Sequence, residues 1–207
     1  MEGRVAMELR DRAAMEAVVP EGGGAFVLCL DTSASMIGQP ELAAKTITFL
    51  LASRAMQECR PLALLAFSGA VDVPRRVLVM PQGTRTGVGG MESHQGRVAG
   101  LRALFDLLCG RFGGGTDLRQ PMDMAMDLIE QEEPFRNADI VLVSDGVFAL
   151  NDTMVDRLNV ARERQGVHVH GVMLGGGGIY NSDNGVAFHQ LCDEGQLHSV
   201  NLNAMDW

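Results

Sequence analysis

Asp31, Ser33 and Ser35 stand at alternate positions in the polar run Asp31-Thr32-Ser33-Ala34-Ser35, directly after the apolar run Ala25-Phe26-Val27-Leu28-Cys29-Leu30. Two other polar clusters share its character: Gly113-Gly114-Gly115-Thr116-Asp117, and Ser144-Asp145-Gly146 at the end of a second apolar run. Together they offer hydroxyls from Ser33, Ser35 and Thr116 and carboxylates from Asp31 and Asp145, all hard oxygen donors. Such donors suit Mg²⁺, with Mn²⁺ the alternative, and Mg²⁺ takes few protein ligands while keeping several waters. Two carboxylates brought together without a cation repel and raise one pKa, a cost that a divalent ion removes. The set is incomplete alone, and a carboxylate from a partner protein could fill the open position. Singly, each residue is as well explained as a turn or helix cap. Only their convergence argues for a metal.

That convergence follows from the elements that must position them. The unbroken apolar run at 25–30 predicts a central parallel strand covered on both faces. Pro40 suits a helix start, and the almost wholly apolar stretch Leu42 to Gln57 predicts a deeply buried helix. Residues 62–67 and 75–80 read as an antiparallel hairpin, and 81–93 as a long loop. Helices are expected at 94–109, 118–131, 153–164 and 186–192, with strands at 138–143, 167–174 and 197–201. The result is an α/β fold, a doubly wound, mostly parallel six-stranded sheet with one antiparallel edge strand and helices on both faces. In such sheets ligands bind at the carboxyl ends of the strands. The first helix runs down, the next strand up and the hairpin strand down, so the helix at 94–109 must climb. It therefore delivers Thr116 to the edge that holds Asp31 and Asp145.

Composition narrows the chemistry. Seventeen cations against 26 acids leave a charge of −9 on 207 residues, which argues against nucleic acid as a partner, because that needs a basic footprint. Lys45 is the only lysine, and it stands in Ala44-Lys45-Thr46 within a predicted helix. No G-K-[S/T] phosphate loop exists, so nucleotide hydrolysis is excluded for this chain. No apolar stretch is long enough for a membrane span and no secretory signal opens the chain, so a cytoplasmic protein is expected. Cys29, Cys59, Cys109 and Cys192 are scattered through apolar patterns and are expected to be buried and reduced. Residues 1–20 read as an amphipathic helix, making 1–23 an arm or linker and 24–207 the main domain.

The pattern D-x-S-x-S on a first loop, a threonine on a second and an aspartate on a third resembles the von Willebrand factor A domain and its metal-ion-dependent adhesion site. The likeness runs from about residue 24 to 201. It implies that Ser33, Ser35 and, depending on conformation, Thr116 contact the metal, while Asp31 and Asp145 hold it through water. The segments 112–118 and 138–145 are similar to intracellular bacterial members of the ViaA, CoxE and CbbO type, which work beside MoxR-type AAA+ ATPases. Such proteins often carry a longer N-terminal region, so a short member or a C-terminal fragment is expected. The implied role is a non-enzymatic adaptor or substrate-recognition module, with an AAA+ ATPase as a candidate partner.

Two other readings stay open. One is a Mg²⁺-dependent phosphatase-like enzyme of the haloacid-dehalogenase kind using Asp31, although Ser33 stands where that family needs a second acid. The other is a scaffold whose metal site is vacant. Elsewhere, His168 and His170 share a strand face as a zinc pair would, but hydrogen-bonded or packed histidines are the simpler expectation. Asp117 is balanced between an outer role at the metal and the ordinary preference of helix starts for acids. Asp123 and Asp127 read as a solvated helix face, and some of Met122, Met124 and Met126 as lining for a partner surface.

Overall fold

A computed structural model describes residues 24–86, 90–146, 148–175 and 183–202. The predicted helix at 1–20, the arm boundary at 23 and the glycine run beyond 175 lie outside the described residues. Strand β1 (Phe26–Asp31) is buried at every position, and its side chains alternate between two cores. Val27 and Cys29 face one, while Phe26, Leu28 and Leu30 face the other. A strand buried on both sides gains nothing from alternating polar residues, which is why its sequence is continuously apolar.

Helix α1 (Gln39–Gln57) follows, then β2 (Leu62–Phe67) and β3 (Arg75–Val79). A two-stranded ribbon, β4 (Arg85–Thr86) with β5 (Gly90–Met91), lies within the stretch expected to be only loop. Next come α2 (His94–Leu108), α3 (Arg119–Gln131), β6 (Asp139–Ser144), α4 (Asp152–Gln165), β7 (Val169–Gly175), α5 (Asp183–Leu191) and β8 (Leu197–Asn201). The six-stranded sheet has the order β3-β2-β1-β6-β7-β8. Every pairing is parallel except β2 with β3. Helices α1 and α2 cover one face, and α3, α4 and α5 the other. The expected sheet and its antiparallel edge are both present.

Two cationic clamps hold the layers. At the lower edge the buried Arg60 donates from Nη2 to Asp139 at 3.3 Å and from Nε to the Gly24 carbonyl, with its guanidinium 3.6 Å over the Phe26 ring. It thus ties β2 to β1 and β6. At the opposite edge Lys45 donates to Glu41 at 2.5 Å and to the Gly110 carbonyl at 2.7 Å, 5.0 Å over the Phe112 ring. The sole lysine therefore fastens α1 to the segment that leads into the glycine run.

Three expectations need correction. Helix α1 is not buried all round: Ala43, Ala44, Ile47, Leu51 and Ala55 cover the sheet, but Leu42, Phe49 and Leu50 are exposed. A helix lying on one side of a sheet buries only one stripe. The outward hydroxyls of Thr46 and Ser53 bond back to the carbonyls of Leu42 and Phe49. Of the cysteines, Cys29 and Cys192 are buried, and burial pushes both thiols up to about 12. Cys59 and Cys109 are exposed, because each follows the end of a helix where the chain returns to solvent. Asp123 and Asp127 do lie on a solvated helix face, where Arg157 of α4 reaches them at 3.5 and 2.7 Å and Glu130 at 2.8 Å. Met122 and Met126 are buried and Met124 packs against the core, so these three serve packing.

Helix α2 lies close on the edge strand at Gly100, where an added Cβ would stand 2.2 Å from the Leu78 carbonyl oxygen. A backbone oxygen of a sheet strand cannot swing aside as the end of a side chain can. Gly100→Ala is expected to cost about 1–3 kcal/mol through overpacking. Urea unfolding should show a lower midpoint with an unchanged slope.

Candidate metal centre

Asp31 closes β1 and is fully buried. Both of its oxygens are engaged: Oδ1 accepts from the Ser33 amide at 2.9 Å and Oδ2 from the Ser144 hydroxyl at 2.6 Å. Ser144 is itself fixed, accepting from the Gly146 amide at 3.0 Å. Burial pushes the Asp31 carboxyl above its ordinary range; hydrogen bonds from Ser144 and Ser33 pull it down, and the charge of Asp145 pushes it further up. Asp145, next in chain and half-buried, thus adds repulsion to a carboxylate already removed from water.

The two serines complete the first loop. The Ser33 and Ser35 hydroxyl oxygens lie 3.0 Å apart, Ser33 buried and Ser35 exposed. Thr32 anchors the loop by donating to the Phe67 carbonyl at 2.8 Å. The glycine run meets it through two backbone bonds, from the Gly113 amide to the Thr32 carbonyl at 2.7 Å and from the Ala34 amide to the Gly114 carbonyl at 3.0 Å. Glycine is required twice here. Gly114 has φ +95, and a Cβ on Gly115 would stand 3.3 Å from Gly69 Cα. Thr116 follows, half-buried, and the Asp117 amide is then held by the Ser68 carbonyl at 2.7 Å. The predicted convergence of the three loops is thereby visible in their mutual bonds.

Asp117 is occupied by the start of α3, accepting from the Arg119 amide at 2.9 Å and pairing with its guanidinium at 3.5 Å. Its helix-start reading prevails. His168 and His170 are each hydrogen bonded, to Asp193 at 2.6 Å and Gln196 at 2.8 Å. Ser144 was not anticipated as a positioning residue. Its signal was a lone hydroxyl closing the apolar run Ile140 to Val143, immediately before Asp145.

Among the described residues no group of three His, Cys, Asp or Glu side chains could hold a metal. A site here must therefore draw on hydroxyls as much as carboxylates, which is the chemistry of a small hard cation that keeps much of its water. The donor set of Asp31, Ser33, Ser35, Thr116 and Asp145 suits such an ion, and a positive charge would relieve the strain on Asp31. A cavity of about 170 Å³ lies at the opposite edge, lined by Met56, Cys59, Arg60, Val79, Met80 and Arg97 among others. It falls short of the roughly 300–1,000 Å³ of small-molecule sites.

A sequence model of the von Willebrand factor type A domain family matches residues 26–147. An uncharacterised protein of Methanocaldococcus jannaschii is 26% identical over 132 residues, covering 64% of this chain and 26% of that protein. The chain thus spans about a quarter of that relative's length. Among solved structures, the pilus adhesin SpaC of Lactobacillus rhamnosus GG superposes with a TM-score of 0.60 at 12% identity, over 88% of this chain and 28% of that one. Proximal thread matrix protein 1 of the mussel byssus gives 0.52 at 12%, over 86% and 44%. At such identities these structures speak for the fold alone. Among the described residues no helix is long and apolar enough to cross a membrane.

The pKa shift of Asp31 has a sign that can be tested. Between the unfolded value of about 3.9 and the higher folded one, the native state keeps a proton that the unfolded chain has lost. Stability therefore falls as pH rises through that window. Without divalent cation, Asp31→Asn should raise the thermal midpoint at pH 7 and change it little at pH 3. Calorimetry at the two pH values checks this. A midpoint that drops at pH 7 would show that the carboxylate stabilises the metal-free fold.

Proposed function

Because the chain belongs to the von Willebrand factor type A domain family, a general module of protein interaction and adhesion, we propose that it is a non-catalytic, Mg²⁺-dependent protein binder. The observation that supports this best is the buried Asp31 carboxylate, held at both oxygens and repelled by Asp145, beside the paired hydroxyls of Ser33 and Ser35. Ser33, Ser35 and Thr116 would contact the ion, with Asp31 and Asp145 holding it through water. When bound, the cation supplies an open Lewis-acid position that a partner's Asp or Glu carboxylate can fill. Ser144 orients Asp31, and Thr32 and the glycine run hold the loops together.

An enzymatic role is the weaker reading. Ser33 stands where a phosphatase of that kind carries its general acid. Likeness to the ViaA, CoxE and CbbO type supports the finer proposal that the partner is, or is delivered to, a MoxR-type AAA+ ATPase in the cytoplasm.

Two measurements test the reading. Calorimetric titration with Mg²⁺ should show one site, lost in Asp31→Ala and Thr116→Ala variants that keep the native circular dichroism. Ser144→Ala should weaken it about 10-fold or more, as loss of a group behind a metal ligand typically does. Partner capture by the immobilised protein from its own cell extract should then be abolished by EDTA. Capture that survives both EDTA and Thr116→Ala rules out a metal bridge.

A further inference from the structure

The outward side of α1 carries no free charge over most of its length. Between Glu41 and Arg54 the only charged residue is Lys45, which is bonded to Glu41 and the Gly110 carbonyl. Leu42, Phe49 and Met56 stand seven residues apart, close to two turns, so they form one line down the helix. Val98 and Phe105 form a second line on α2 by the same spacing. The two lines meet where the Phe49 and Phe105 rings lie 6.2 Å apart, although these residues are 46% and 51% exposed. Below them Met56 lines the lower cavity together with Val79, Met80, Arg60 and Arg97, and Arg97 adjoins Val98. An apolar groove therefore runs between α1 and α2 from the cavity up to Leu42. Contiguous apolar surface of this kind marks a docking site.

The point where the chain enters the described structure indicates the occupant. Gly24 is the first described residue, and its carbonyl accepts from Arg60 Nε, so the preceding residues start beside the cavity at the lower end of the groove. Length agrees as well. Leu42 to Met56 spans about 21 Å of helix at 1.5 Å per residue, and a helix over residues 5–19 spans the same. The apolar pattern is also suitable: Val5, Leu9, Ala13 and Ala17 recur every four residues, with Ala6 alongside, while Arg4, Glu8 and Asp11 fall on the opposite side. Val18 and Val19 come last, nearest the cavity. Glu16, two turns beyond Leu9 on the same side, brings an acid to the end where Arg97 has no ion pair among the described residues.

We propose that residues 1–20 pack as a helix in the groove between α1 and α2, with Leu9 against the Phe49 and Phe105 rings and Val18 and Val19 over the cavity. The segment then completes the layer of helices on this face of the sheet. This docking is independent of the metal reading.

The test is hydrogen exchange of the full chain followed by mass spectrometry, with a synthetic peptide of residues 1–20 as the reference. Amides 5–19 should exchange at least about 10-fold more slowly in the chain than in the peptide, as docked structure does. The double variant Phe49→Ser, Phe105→Ser should remove that protection and leave β1 and β6 unchanged, since both rings lie outside the core. Leu9→Asp should remove it from the segment's side, whereas Glu8→Gln should not. In NMR of the full chain the Leu9 methyls should show Overhauser contacts to both rings within one molecule. Exchange as fast as in the peptide overturns the proposal. So does protection that survives both the ring and the Leu9 substitutions, which places the segment elsewhere. Protection that fades on dilution, or Leu9 contacts between differently labelled molecules, assigns the groove to a second copy and overturns it too.

Discussion

The upper edge of the sheet is organised around one buried carboxylate. Asp31 sits where β1 ends, out of contact with water, and its two oxygens are claimed by groups from two different elements, the Ser33 amide and the Ser144 hydroxyl. Burying a charge is costly unless it is paired or hydrogen bonded. Here the bonds compensate only in part, and a second carboxylate, Asp145, stands beside it. The fold holds an unfavourable charge arrangement with uncommon care, and that is a state which a cation would turn from cost to gain. The surrounding loops are cross-bonded rather than loose, as a donor set of few direct ligands would require.

That rigidity is drawn from the rest of the molecule. Arg60 locks the lower ends of β1, β2 and β6, while Lys45 locks α1 to the approach of the glycine run. Both cations are used structurally, inside or against the layers, although the chain as a whole is acidic. The single lysine is committed to Glu41 and the Gly110 carbonyl, and the three loops of the upper edge gather hydroxyls and carboxylates. Phosphate cradles depend on the opposite inventory.

Much of this was legible in the sequence, for identifiable reasons. The strands were legible because parallel strands buried on both faces must be continuously apolar, and β1, β2 and β6 are buried at every position. The meeting of the three loops was legible because D-x-S-x-S, the glycine run with Thr116, and Asp145 each follow a predicted element that ends at one edge. What failed shares a different cause. The exposed face of α1 was hidden because Leu42, Phe49 and Leu50 are as apolar as the residues beneath them, so composition cannot say which side of a helix is covered. Ser144 was missed because a serine after an apolar strand is also an ordinary strand end. The Arg157 clamp on Asp123, Asp127 and Glu130 joins residues about thirty positions apart, a pairing that no local periodicity carries.

The close packing of Gly69 on Gly115 connects the loop bearing Thr116 to the turn between β2 and β3. An added Cβ on Gly115 would stand 3.3 Å from Gly69 Cα, so the approach holds the turn after β2 close to the loop bearing Thr116. Chemistry and shape are thus coupled by backbone contact rather than by long side chains that would have to be ordered on binding. Ordering such side chains typically costs about 0.5–1.5 kcal/mol each in an interface, and a surface presented on braced turns avoids much of that cost. Were the proposed cation bound, five oxygen-bearing side chains on three cross-bonded loops would surround it, and recognition would depend on it.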